Sequence, residues 1–265
     1  MKVTIFTSNS LRHKNLINSI SRICDTCYAI IETKTIFPGQ VEDFFKKTKI
    51  MDKYFKKVEK SEKFFFKNNQ FINKNVKTKI IKQGDLNLLK KKDVKEALNS
   101  DIFIVFGASF IKGWLIKFLI KKKALNIHMG LSPFYRGSSC NFWAIYDNRP
   151  EYVGATIHLL SKGLDSGKIL YHCLPDINYK DVFKYTMSSV FSAQKCLVKK
   201  INQKKLMKTK PIVQNNKYEI RYTKKKSFND KAIKFLNRNR LKILRNNNQI
   251  KERINKLNLI NSFKV

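Results

Sequence analysis

Asp101-Ile102-Phe103-Ile104-Val105-Phe106 is the stretch on which the fold turns. Five apolar residues follow one another without the polar alternation of a half-solvated strand, which suits a parallel strand covered on both faces. Gly107-Ala108-Ser109 break the run. Downstream, residues 111–119 carry an amphipathic helical pattern, and residues 124–127 form another apolar strand that ends at His128. Upstream, residues 84–100 read as a loop followed by a helix, and residues 77–81 as a short strand. The Lys- and Phe-rich residues 40–70 read as helical.

The chain opens in the same style. Val3-Thr4-Ile5-Phe6-Thr7 is β-branched and ends in Ser8-Asn9-Ser10; Leu16, Ile17, Ile20 and Ile23 follow at helical spacing, and residues 27–31 make a second strand. This β-loop-α-β start is typical of an open parallel sheet. Beyond His128, a loop rich in Gly, Ser and Pro covers 129–140, a helix starts near 141–147, and strands are expected at 154–160 and 168–173 around a glycine-flanked loop at 163–167. Helix returns over 181–208. Near Pro211 the alternation stops; 211–222 has room for one or two short strands, and 224–265 is charged, Asn-rich and helix-like.

Composition narrows the function classes. Hydrophobic residues make up 43% and aromatics 12% of 265 residues, enough for a packed core and too much for wholesale disorder. No apolar run approaches the roughly 18–20 residues that span a bilayer. The start reads as a first strand and not as a signal peptide. Cys24, Cys27, Cys140, Cys173 and Cys196 are odd in number and scattered, which argues for reduced thiols and a cytoplasmic protein. Cys24-x-x-Cys27 lacks the second ligand pair that a zinc site needs, so no metal is expected. The net charge of +36 invites a polyanion. The charge is spread along the chain, however, and Lys outnumbers Arg about five to one. Phosphate clamps favour the Arg fork, so most of these lysines are read as solvated surface.

The chemistry lies in residues 125–170, LNIHMGLSPFYRGSSCNFWAIYDNRPEYVGATIHLLSKGLDSGKIL. Asn126 and His128 are two residues apart on a strand, so both side chains share one face. An amide and an imidazole converging there can donate to an oxygen that becomes negative during attack on an acyl carbon. An ordinary turn cap and a satisfied histidine would look the same. Asp165 sits between Gly163 and Gly167, whose freedom would let a loop bring a carboxylate into a tight site. A carboxylate beside an imidazole fixes the ring and favours its charged form. A plain turn aspartate is the competing reading.

The ordered set N-I-H, S-P-F-Y-R-G, W-A-I, G-A-T-I-H and G-L-D-S-G-K-I resembles the N10-formyltetrahydrofolate-dependent formyltransferases over about 45 residues. That family includes methionyl-tRNA, glycinamide ribonucleotide and sugar-nucleotide enzymes. The resemblance implies a Rossmann-like α/β fold, an open and mostly parallel sheet flanked by helices, with a catalytic domain at 1–210. A short, mostly helical extension follows at 211–265, as a substrate lid or small accessory module. It also implies an Asn126, His128 and Asp165 centre and N10-formyltetrahydrofolate as formyl donor. Phe106, Gly107, Ala108, Ser109, Phe110 and Ile111 match the loop bordering the folate pocket; Leu131, Arg136 and Gly137 match the loop beside the reaction centre. Arg136 is equally readable as a ligand contact or a structural ion pair. His158 is read as supporting or core, while His13 and His172 carry no motif. Met129-Gly130 stand where many members have Pro-Ser, and Ser166 where Thr is common.

The expected acceptor is a small-molecule amine, an amino-sugar that is nucleotide-linked. The methionyl-tRNA branch usually carries a C-terminal β-barrel, and the tail after Pro211 is short and reads as helical. tRNA as partner stays open but is not favoured, a homodimer is compatible, and no membrane partner is expected. Two readings from other classes also stay open: a formyl-folate hydrolase, and a polyanion-binding protein on a degenerate scaffold.

Overall fold

The computed structural model describes residues 1–33, 48–67, 72–206 and 208–264. Its centre is a seven-stranded sheet in the order β3-β2-β1-β4-β5-β7-β8. The strands are β1 (Lys2–Ser8), β2 (Thr26–Thr33), β3 (Val76–Lys82), β4 (Ile102–Phe106), β5 (Leu125–His128), β7 (Ala155–Leu159) and β8 (Ile169–Cys173). Pairing is parallel from β3 through β5, and antiparallel for β5–β7 and β7–β8. The Rossmann-like, mostly parallel sheet expected from the sequence is therefore present.

The continuous apolar run of β4 is explained by what covers it. Ile104 and Phe106 enter a core shared with Leu16, Ile17 and Ile20 of α1 (Leu11–Ser21), Phe66 of α2 (Lys49–Phe66), and Met187, Val190 and Leu197 of α5 (Val182–Asn202). Phe103 and Val105 point the other way, into a core with Leu115 and Leu119 of α3 (Gly113–Lys121). Alternate residues of one strand thus feed two cores, as a doubly covered sheet requires. Residues 40–47 and 68–70 of the expected 40–70 helix lie outside the described residues.

The segment 84–100 departs from expectation. Three short 3-10 turns, Asp85–Leu88, Lys91–Val94 and Ala97–Asn99, replace the anticipated helix. The buried residues Leu86, Leu89, Val94 and Ala97 are spaced by three, five and three positions. That spacing does not build one helical stripe, so each turn tucks its own apolar residue under the sheet and stops.

A second departure is β6 (Tyr135–Gly137), inside the stretch read as loop. It pairs in parallel with β9 (Arg221–Thr223), with Tyr135 opposite Arg221. Residues after Pro211 also cover the free edge of β8, by an antiparallel bridge Ile169–Ile212 and a parallel bridge Cys173–Phe263. Covering an edge strand removes unpaired backbone groups that would otherwise template aggregation. Helices α6 (Asp230–Asn239) and α7 (Asn247–Asn255) bury Ile233, Leu236, Ile250 and Ile254 in a third core, with Phe142 and Trp143 of α4 (Cys140–Tyr146). No described helix is long and apolar enough to cross a membrane.

Candidate active site

Because β7 runs antiparallel to β5, its end at Leu159 lies beside the start of β5, opposite Leu125. The loop that follows must turn back to reach His128. It does so: Leu160 donates its N–H to the Ala124 carbonyl at 2.7 Å, and five residues later Asp165 Oδ1 stands 3.2 Å from His128 Nδ1. Gly167 permits the return path, since a Cβ there would lie 1.6 Å from the Leu159 carbonyl oxygen. The expected φ freedom is used elsewhere. The left-handed residue of this loop is Asp165 itself, at φ 49°, a conformation that Asp tolerates better than most residues.

The expected trio is brought together, with His158 inserted into it. Asn126 Nδ2 is 2.9 Å from His158 Nε2, and His158 Nε2 is 3.9 Å from Asp165 Oδ1. His158 Nδ1 lies 2.8 Å from the Leu159 carbonyl. A carbonyl only accepts, so Nδ1 carries the proton, and in the neutral ring Nε2 accepts from the Asn126 amide. The Asn126 amide is therefore oriented by His158, with its second N–H uncommitted to that contact. A register irregularity between Ile157 and His158 marks this point of the β7–β8 ladder. Bulges often re-aim side chains beside functional sites.

His128 is 7% exposed. Its Nδ1 faces the Asp165 carboxylate, and its Nε2 faces the Tyr135 carbonyl at 3.3 Å. Both partners accept, so the ring fits as a doubly protonated imidazolium. Burial pushes its pKa down, but the charge of Asp165, together with Cys140 beside the ring, outweighs this and holds it well above the usual histidine range. For Asp165, burial alone would raise the pKa; the His128 charge and hydrogen bond override it and hold the carboxyl far below the usual carboxylate range. Asp165 Oδ2 also accepts from the Gly137 N–H at 3.3 Å. The Met129-Gly130 departure has a local explanation. A Cβ at Gly130 would stand 2.6 Å from His128 Nε2 and 2.5 Å from Cys140 Cβ, so glycine lets the chain pass over the ring.

The six residues 106–111, from the last residue of β4 onward, divide by burial. Phe106 and Ile111 are core residues, so their side chains are spent on packing. Phe106 stacks on the buried His13 at 4.6 Å between ring centres, and a Cβ at Gly107 would fall 2.2 Å from His13 Cε1. Ser109 gives its N–H to Glu32 at 2.6 Å, and the same carboxylate takes the Gly84 N–H at 2.8 Å. Ala108 is half-buried, and Phe110 projects at 51% exposure. Leu131 is fully buried against Gly154. Arg136 is committed within the protein, to Glu219 at 3.0 Å, Asn216 at 3.3 Å and the Leu164 carbonyl at 2.9 Å. His172, which has no motif, bridges the Ser132 carbonyl at 2.8 Å and the Ile260 N–H at 3.0 Å. Among the described residues no cluster of three or more His, Cys, Asp or Glu could hold a metal ion.

The local geometry has relatives. Over 75 residues the chain is 36% identical to methionyl-tRNA formyltransferase of Synechococcus sp. (strain JA-3-3Ab), which is 28% of this chain and 23% of that protein. Over 87 residues it is 34% identical to GDP-perosamine N-formyltransferase of Brucella melitensis, 28% of this chain and 33% of that one. The chain thus spans about a quarter to a third of these curated relatives. The N-formyltransferase of Helicobacter canadensis, solved with folinic acid and dTDP-3-aminofucose, superposes with a TM-score of 0.52 at 17% identity. The match covers 86% of this chain and 73% of that one, and it speaks for the fold. Residues 73–201, which include Asn126, His128, His158 and Asp165, match the formyl transferase family.

Proposed function

We propose that this protein is an N-formyltransferase that moves a formyl group from N10-formyltetrahydrofolate to the primary amine of a nucleotide-linked amino-sugar. The observation that carries this reading is the buried His128–Asp165 pair at 3.2 Å, with the Asn126 amide oriented beside it by His158. The acceptor amine attacks the formyl carbon, and the carbonyl oxygen becomes an oxyanion. Asn126 presents its second N–H to that oxygen. The His128 imidazolium supplies a positive charge, and its contact to the Tyr135 carbonyl, at 3.3 Å, is loose enough for that N–H to donate a hydrogen bond to the oxyanion instead while the proton stays on the ring. Asp165 orients the imidazolium and assists proton removal from the amine. Collapse of the oxyanion then breaks the bond from the formyl carbon to the folate N10, and N10 takes the proton that the amine gave up. Phe110, Met129 and Leu164 remain exposed on the three segments that carry or flank these groups, apolar surface of the kind that a folate ring system covers.

The amino-sugar acceptor is supported by the likeness to a perosamine enzyme over part of this chain. We expect release of tetrahydrofolate when N10-formyltetrahydrofolate is mixed with an amino-sugar nucleotide, in a panel that includes glycinamide ribonucleotide and charged initiator tRNA. Turnover only with one of the latter two would reassign the acceptor. Formate release without any amine would replace the transferase by a hydrolase.

A further inference from the structure

Asp165 is held in a left-handed conformation at the tip of a returning loop, and its carboxylate must stay within 3.2 Å of His128. The loop's own contacts are few. Ser161 Oγ donates to the Gly163 carbonyl at 3.2 Å and meets Ser166 Oγ at 2.9 Å. The remaining anchors come from elsewhere. Gln214 Nε2 donates to the Asp165 carbonyl at 2.8 Å and to the Gly167 carbonyl at 2.6 Å. One amide nitrogen therefore ties the residue that carries the carboxylate to the glycine that closes its loop.

The orientation of that amide is fixed by chemistry. Both neighbours are carbonyls, which only accept, so a reversed amide would set oxygen against two oxygens. The cost is visible on its other atom: Gln214 Oε1 is buried without a partner among the described residues. The backbone leading to Gln214 is also fixed. Two residues earlier, Ile212 exchanges both of its hydrogen bonds with Ile169 of β8, at 2.7 and 2.8 Å. A second arm follows Gln214 in the chain. Asn216 and Glu219 hold the Arg136 guanidinium, which in turn takes the Leu164 carbonyl.

We infer that Gln214 is a positioning residue for Asp165, so that the segment from Ile212 to Glu219 is part of the reaction centre although it lies outside the family match. This rests on the proposed role of Asp165. Gln214 touches neither the imidazole nor the place of the reacting atoms; it acts by holding the Asp165 peptide in register with His128. A displacement of about an ångström at such a group is enough to cost roughly a hundred-fold in rate.

The test compares Gln214→Leu, which removes both donors at similar size, with Gln214→Lys, which restores a donor of similar reach, and with Asp165→Asn. In the full-length chain we expect Gln214→Leu to keep its cooperative melt and to lower kcat by about ten- to a hundred-fold. KM for the formyl donor should change far less, and the His128 titration, followed by NMR of the imidazole, should move toward lower pH. Gln214→Lys should recover part of the lost kcat. Unchanged kcat and an unchanged His128 titration in Gln214→Leu would overturn the inference. Should that variant not fold, Gln214→Ala, which leaves space for water, takes its place in the same comparison. Asp165→Asn separates the two readings: if it keeps full turnover, the proposed role of Asp165 fails, while the His128 titration in Gln214→Leu still decides whether the loop is held as described.

Discussion

His128 and Asp165 act as one unit. Burial opposes charge on each, and each is kept charged by the other. Removing one charge therefore leaves burial to decide the state of its partner. In Asp165→Asn the ring has lost its carboxylate, and desolvation favours neutral imidazole. We expect its pKa to fall, and formyl transfer to drop by about 10²–10⁴-fold, as for loss of a positioned acid–base group. Initial rates of tetrahydrofolate release and an NMR titration of His128 measure both effects. Near-normal turnover would remove the mechanism. His158 belongs to the same set of contacts, because the direction of the Asn126 amide depends on the protonated Nδ1 that it gives to Leu159.

Two short elements set the geometry around these residues. The β6–β9 pair brings Gly137 within reach of Asp165 Oδ2, and its backbone is too close to Thr223 for any side chain. A Cβ at Gly137 would stand 2.1 Å from the Thr223 carbonyl oxygen, and φ is 92°. Gly137→Ala is expected to separate the two strands and lower stability by about 1–3 kcal/mol. Denaturant unfolding would report the loss, and a midpoint equal to that of the unaltered chain would contradict the close approach. The return loop makes a parallel case. Gly167 lies against the Leu159 carbonyl and 2.9 Å, at its virtual Cβ, from His158 Nδ1. We expect Gly167→Ala to displace the loop and reduce turnover more than it reduces the melting temperature, since the clash falls on the segment that carries Asp165.

Across the molecule, buried neutral histidines tie distant segments together. His172 receives the Ile260 N–H and faces the Ser132 carbonyl, joining the chain's last residues to the loop after β5. Burial lowers its pKa from 6.5 to about 4, only partly offset by the Ser132 carbonyl. Burial likewise lowers that of His13, helped by the charge of Arg12. A base whose folded pKa is depressed contributes stability that is complete above its unfolded value and is lost as pH falls toward the folded one. Asp165, also depressed, loses its contribution on further acidification. His128, whose folded pKa is raised, keeps its contribution throughout this acid range and loses it only as pH rises through that raised value. The melting temperature should therefore fall between pH 6.5 and pH 4, and His172→Gln should flatten that slope. A melting temperature that stays constant over this window would show that these rings are not held neutral.

How much of this was legible beforehand follows from the range of each signal. The run 101–106 declared a central strand because burial on both faces writes itself into consecutive residues, and the two cores it feeds confirm that reading. The strand spacing of Asn126 and His128 and the glycines around Asp165 left ordinary turn readings open, and it was the resemblance of the ordered motifs that singled these three out. The 3-10 turns at 84–100 were not legible, since that stretch is settled by which residues the sheet can cover. Neither β6 nor the place of Gln214 could be read locally. β6 exists only because residues 221–223 lie beside it, more than eighty positions later. Gln214 meets Asp165 only because Ile212 is bridged to β8. His158 was visible in its motif, but its meeting with Asn126 depends on the antiparallel register of β5 and β7. The ordered local motifs thus named the groups that we propose to react. The long-range pairing of backbone, whose partners no neighbouring residue specifies, set His128 and His158 at 3.2 and 3.9 Å from Asp165 and Asn126 at 2.9 Å from His158.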